Sequence, residues 1–230
     1  MSAEQVYAHF YRCPRLAAEE LSDGGGPFGF DITAALEIDL LIEHYRCDAI
    51  FETGCNLGDT AYYLARRYPD IPLFSCDISQ RHAEFTRQRL AFAPQATVEH
   101  LDSPLLIERH AGRFQRPLFY LDAHWYEDWP LQRELDLIER GVIVVDDFDI
   151  GHPRFGFDAY GGVACGPAML ARALAGRVEH FHTNNPDASF PFPCLQTGRR
   201  AGRAYVVLPP LENRLHMSRW FLARSLPSST

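Results

Sequence analysis

Five short apolar runs in this chain each close on a carboxylate: Glu52 in "AIFETG", Asp77 in "PLFSCD", Asp102 in "ATVEHLDS", Asp122 in "PLFYLDAHW", and Asp146 with Asp147 in "GVIVVDDF". A lone acid after a strand usually caps the next helix. Five in succession along one sheet edge form a line of hydrogen-bond acceptors where an open parallel sheet binds its ligands. The first turn, "FETGCNLGDT" (51–60), carries Gly54 and Gly58. Gly54 lets the chain turn sharply, and Gly58 lets the following helix come close to a ligand. Asp77 lies about 20 residues on, where an acid accepts hydrogen bonds from ribose hydroxyls. A nucleoside-containing cofactor is the expectation. Asn56 occupies the position where a pyrophosphate binder favours glycine, and Glu52 would welcome a positive group and repel a phosphate. Both count against a dinucleotide.

The last two runs suggest a second chemistry. Asp122, Asp146 and Asp147 end two strands expected to be adjacent, so their carboxylates should converge. Such a cluster raises its own pKa values and costs stability unless a cation neutralises it. All-oxygen ligation suits Mg2+, with Mn2+ or Ca2+ as alternatives.

The elements that must position these residues follow from periodicity. Between the apolar runs lie segments with helical spacing at 58–69, 79–92, 104–112 and 129–140, preceded by one at 33–46. Strands alternating with helices imply βαβ units and a parallel sheet covered on both faces. After residue 150 the chain becomes rich in Gly, Pro and aromatics, with a short helix expected at 166–175. An antiparallel pair is expected at 178–183 and 202–210, and a helix over the tail "LENRLHMSRWFLARS". The 230 residues are read as one domain: 1–32 as a lid or arm, 33–150 as the cofactor-binding core, and 151–230 as the acceptor region. Oligomeric state stays open.

Composition excludes several classes. A net charge of −8 argues against a nucleic-acid partner. No apolar run is long enough for a membrane span, and the N-terminal residues lack the basic start of a signal peptide, so a cytoplasmic location is expected. All 22 basic residues are arginine. Without lysine there is no Walker A lysine, Schiff base or lysine general base. The six cysteines are scattered, with no CxxC pair, and are read as structural.

On "FETGCNLGDT", "LFSCDIS", "HLDSP", "FYLDAHW" and "VIVVDDF", the stretch 33–150 resembles the class I methyltransferases that use S-adenosylmethionine. The resemblance implies a Rossmann-like, seven-stranded, mostly parallel sheet with helices on both faces. It also implies a cofactor pocket formed by Glu52, Gly54, Asn56, Gly58, Asp77, Asp102 and Ser103, with Asp77 on the ribose and Asp102 on the adenine amine. The D-x-H and D-D endings are similar to the metal-dependent O-methyltransferases of the macrocin group, which act on small molecules and sugars. That likeness implies a metal on Asp122, Asp146 and Asp147, and catalysis by Asp122 and His124. His124 replaces the second Asp of D-x-D; it is read as the base that deprotonates an acceptor hydroxyl, with metal ligand and orienting residue as alternatives. The acceptor would be a small molecule bound among Trp125, Tyr126, Trp129, Phe155, Phe157, Tyr160, Phe190 and Phe192. His152, His180, His182, Arg199, Arg200 and Arg203 are accessory candidates, the arginines being read foremost as a solvated turn. Competing readings are a metal-independent N- or C-methyltransferase, an inactive cofactor binder and a nicotinamide dehydrogenase.

Overall fold

The computed structural model describes residues 2–124 and 129–227. Eight strands form the main sheet: β1 Ala49–Thr53, β2 Leu73–Asp77, β3 Ala96–His100, β4 Pro117–Leu121, β5 Gly141–Val145, β6 His180–Asn184, β7 Ala204–Leu208 and β8 Phe221–Ser225. Their spatial order is β8-β6-β7-β5-β4-β1-β2-β3. The five strands β1 to β5 are mutually parallel, β7 runs antiparallel to both β5 and β6, and β8 is antiparallel to β6. The chain moves outward from β1 through β2 to β3, then returns to lay β4 on the other side of β1. That reversal opens a crevice at the carboxyl ends of β1 and β4.

The helices are α1 Ala3–Phe10, α2 Ile32–Tyr45, α3 Asp59–Arg67, α4 Gln80–Arg89, α5 Ser103–His110, α6 Leu131–Leu137 and α7 Pro167–Leu174. They cover both faces, and the strands read accordingly: β1, β4, β5 and β7 are buried along their whole length. Alternate side chains go to opposite faces. Ile50, Leu118, Tyr120, Val142 and Val144 pack with α1, α2 and α3, whereas Phe51, Phe119, Ile143 and Val145 pack with α5, α6 and α7. Phe51 stacks between Phe74 and Phe119 at 5.0 and 4.9 Å, which fixes β1 between its neighbours.

Two expectations about the tail are corrected. The sheet has eight strands rather than seven. The segment read as a terminal helix is instead a short 3-10 turn at Leu215–Met217 followed by β8. Pairing of β8 with β6, from Phe221↔Asn184 to Ser225↔His180, supplies its backbone with partners that a helix would have found within itself.

Candidate functional site

The first turn is built as its glycines suggest. Gly54 and Gly58 both adopt positive φ, 78° and 73°. A Cβ on Gly54 would lie 2.7 Å from the carbonyl oxygen of Asp122, so the β1 and β4 ends meet here with no room for a side chain. Gly54 and Cys55 donate their N–H groups to the carbonyl of Cys76, tying the turn to β2. Asn56 also has positive φ, 46°.

Around this turn lies a cavity of about 860 Å³. Glu52, Gly54, Asn56, Asp77, Asp102, Ser103, Asp122, Asp146 and Asp147 all line it, so nine of the expected site residues share one space. Gly58 stands at the N-terminus of α3, immediately beside it. Glu52 is buried and accepts a hydrogen bond from Ser75, and burial pushes its carboxyl pKa up to about 7. A cationic ligand group beside it would restore its charge. Asp77 accepts from the backbone N–H of Asn56 and of Ser79, each at 2.8 Å, which aims the carboxylate without consuming it. Asp102 pairs with Arg133 at 3.0 Å.

The opposite end is crowded. One carboxylate oxygen from each of Asp122, Asp146 and Asp147 lies within 4.8 Å of the others. Consecutive strand residues point to opposite faces, but Asp147 has φ 47°, and this left-handed bend brings two neighbouring carboxylates to one place. Burial, then repulsion from Asp146 and Asp147, pushes the Asp122 carboxyl well above the usual carboxylate range. Burial and the charges of Asp146 and Asp158 push Asp147 to about 7, against the pull of Arg199. Arg199 bridges Asp147 at 2.8 Å and Asp158 at 3.1 Å. Asp146 accepts from the Tyr120 hydroxyl at 2.5 Å and pairs with Arg203 at 2.9 Å. Among the described residues, none donates a hydrogen bond to the Asp122 carboxylate.

Five carboxylates (Asp31, Glu37, Asp146, Asp147, Asp158) thus share three guanidiniums (Arg199, Arg200, Arg203), and Asp122 joins them through its closeness to Asp146 and Asp147, six carboxylates to three arginines in all. The formal excess of three negative charges and the hard oxygen donors fit a divalent cation.

The expected base lies elsewhere. His124 is buried, does not line the cavity, and packs against Trp129 at 5.7 Å between ring centroids. Burial alone lowers its pKa to about 3, and neither ring nitrogen has a hydrogen-bond partner among the described residues. The expected aromatic acceptor pocket is also displaced. Phe190 stacks on Trp220, Phe192 packs at a tilt against Tyr7, Trp125 and Tyr126 lie outside the described residues, and the described aromatic lining the cavity is Phe28. Of the accessory histidines, His182 is buried.

Two further features complete the site, the first expected only as a lid or arm over residues 1–32 and the second not foreseen. The N-terminal segment forms one wall of the cavity through Leu16, Ala17, Ser22, Gly24, Gly25, Gly26, Phe28 and Gly29. It is pinned on one side by Asp59, which accepts from Gly26 N–H at 2.6 Å, and by Thr60, which accepts from Phe28 N–H at 2.9 Å. On the other side Gln196 donates to the carbonyls of Asp23 and Gly29. The second feature is Arg203, read as part of a solvated turn and found fully buried.

No protein-family model matches this chain, and neither does any curated protein sequence. Solved structures do. A protein from Klebsiella pneumoniae assigned as an O-methyltransferase superposes with a TM-score of 0.53 at 16% identity, covering 89% of each chain. An O-methyltransferase from Bacillus cereus in complex with S-adenosylhomocysteine gives 0.51 at 15% identity, over 89% of this chain and 90% of that one. A probable spermidine synthase from Corynebacterium glutamicum gives 0.53 at 14% identity, over 84% and 73%. The chain therefore has the α/β Rossmann-like methyltransferase fold. At these identities the likeness reaches the fold and stops there, so the reaction must be argued from the site.

Proposed function

We propose that this protein transfers the methyl group of S-adenosylmethionine to a hydroxyl oxygen of a small molecule, with a divalent cation held by Asp122, Asp146 and Asp147. The observation that carries the reading is their convergence within 4.8 Å in the same cavity as Glu52 and Asp77. Bound S-adenosylmethionine supplies a sulfonium-activated methyl, and a divalent cation supplies a Lewis acid that lowers the pKa of a hydroxyl.

The protein's own groups then have distinct tasks. Asp77, aimed by two backbone N–H groups, accepts from ribose hydroxyls. Asp102 and Ser103 border the cavity where an adenine amine would meet an acceptor. Glu52, which lines the same cavity, would meet the cationic end of a bound cofactor. The Asp122 carboxylate, which accepts no hydrogen bond among the described residues, would take the acceptor proton on one oxygen in place of His124. The N-terminal wall and Phe28 exclude water and hold the two substrates in line.

A second reading has its own support: a metal-independent transfer to an amine, whose ammonium would occupy the acidic end. The charge excess suits either cation, and one solved structure of this fold is named a spermidine synthase. Titrating the protein with Mn2+ in the presence of S-adenosylhomocysteine separates the two. The metal-assisted reading expects a saturable Mn2+ site and a separate stabilisation by S-adenosylhomocysteine. A ligand at 100 times its Kd stabilises by about 2.7 kcal/mol, which for a chain of this size raises Tm by roughly 5–10 °C. No Mn2+ binding alongside an intact S-adenosylhomocysteine shift favours the amine, and no shift with either ligand removes both readings.

A further inference from the structure

The fully buried Arg203 lies just before β7, beside the end of β5. Its backbone N–H donates to Asn184 Oδ1 at 2.8 Å, and its carbonyl accepts from Asn184 N–H at 3.2 Å, so the root of the side chain is fixed from β6. The guanidinium meets three carboxylates from three parts of the chain: Asp146 at 2.9 Å, Asp31 at 3.2 Å and Glu37 at 3.6 Å. Asp31 follows directly on the N-terminal wall and caps α2 by accepting from Thr33 N–H at 3.0 Å. It also pairs with Arg200 at 3.1 Å. Glu37 lies on α2 and accepts from the Tyr205 hydroxyl. Tyr120 holds one oxygen of Asp146 by a hydrogen bond; the other faces Arg203 Nε as an ion pair without hydrogen-bond geometry, and the same guanidinium donates a hydrogen bond to Asp31.

Burying a guanidinium is costly unless its partners repay the lost hydration. A surface arginine would serve if the need were only to balance charge. A rigid planar guanidinium set among three carboxylates does something more specific: it presents Nη2 to Asp31, Nη1 to Glu37 and Nε to Asp146, so each carboxylate has its own positive edge to face.

We propose that Arg203 is a positioning residue: it orients Asp146 toward the cation position and couples that orientation to Asp31, at the base of the N-terminal wall. The proposal rests on the metal-assisted reading above. Arg203 forms no ion pair with Asp122 or Asp147 and does not line the cofactor end; its charge reaches Asp147, but its contact with the cation position is through Asp146. Any change that frees Arg203 from Asp31, or replaces its fork by a single point, therefore alters cation affinity without altering cofactor affinity.

The test measures Mn2+ and S-adenosylhomocysteine dissociation constants for the wild type, Arg203→Lys and Asp31→Asn, with Tm for each. Arg203→Lys keeps the charge and removes the fork, so Mn2+ binding weakens at least tenfold while S-adenosylhomocysteine binding stays within twofold. Asp31→Asn keeps the shape of the cap and lets Arg203 pull harder on Asp146, so Mn2+ binding weakens three- to tenfold. Asp31 makes no hydrogen bond or ion pair with Asp122, Asp146 or Asp147, so a purely structural role would lower Tm and leave the Mn2+ constant unmoved. That outcome in either variant overturns the proposal while the metal-assisted reading survives. Absence of Mn2+ binding in the wild type overturns both.

Discussion

The two ends of the cavity use the same side chain in opposite ways. At the cofactor end, Glu52, Asp77 and Asp102 come one from each of three strand ends, and each has its own hydrogen-bond or ionic partner. At the other end Asp122, Asp146 and Asp147 crowd within 4.8 Å, with the buried Arg203 beside Asp146 and the exposed Arg199 on Asp147. Spaced carboxylates can read hydroxyls and amines by hydrogen bonding and need no counter-ion. Crowded ones repel, and at Asp122 and Asp147 burial and this repulsion push the carboxyl pKa up. The fold supplies the spacing through one acid per strand, and the crowding through a single left-handed residue, Asp147.

The contrast breaks most completely at the point where the ends touch. Gly54→Ala forces a Cβ against the Asp122 carbonyl at a positive φ, at a cost on the order of 2–4 kcal/mol. Both S-adenosylhomocysteine and Mn2+ binding should fall together, with a lower Tm by differential scanning calorimetry. Loss at one end only would show that the ends are not mechanically joined.

Asp77→Ala should weaken S-adenosylhomocysteine by roughly a hundredfold, the equivalent of two charge-assisted hydrogen bonds at about 1.5 kcal/mol each. Mn2+ binding, read in the same titration, should be unchanged. Asp122→Asn is the mirror case: Mn2+ affinity falls by about tenfold, with S-adenosylhomocysteine unaffected.

The smallest effect sharpens the contrast at Glu52. Its proton leaves as pH rises through about 7, so attraction for a sulfonium is present above that pH and fades below it. The affinity ratio of S-adenosylmethionine to S-adenosylhomocysteine should therefore rise several-fold between about pH 6 and 8. Glu52→Gln should make the ratio flat. Stability has the opposite sign: between about 4.5 and 7 the native state holds more protons than the unfolded chain at Glu52, so this residue's contribution falls as pH rises.

Local pattern carried most of the cofactor half. β1, β2, β4 and β5 each combine an apolar run with an acid at the end, and such strands look alike in any sequence because burial on both faces demands it. What was not legible depended on partners far along the chain. The tail has helical spacing, yet pairing with His180–Asn184 made it β8. His124 occupies a D-x-H position that suggests a base, but the direction a side chain takes beyond a strand end is set by packing, here against Trp129. Arg203 sits among Arg199 and Arg200 in a stretch that looks solvated. Only the arrival of Asp31, Glu37 and Asp146 from elsewhere makes it a core residue.

The N-terminal wall has a consequence for the order of assembly during synthesis. Residues 16–29 leave the ribosome early, but their anchors come late: Asp59 and Thr60 more than thirty positions on, and Gln196 as many as 173 positions after its partner Asp23. The parallel core can form from contacts made along the way, whereas the wall gains its second set of anchors only when the segment near Gln196 has been made. A nascent chain halted before that point would carry the turn at Gly54 and the carboxylates of β1 to β5, with the wall held on the Asp59 and Thr60 side alone. Ligand capture is thereby tied to synthesis of the segment around Gln196, and a ligand would select molecules that have it over those that do not.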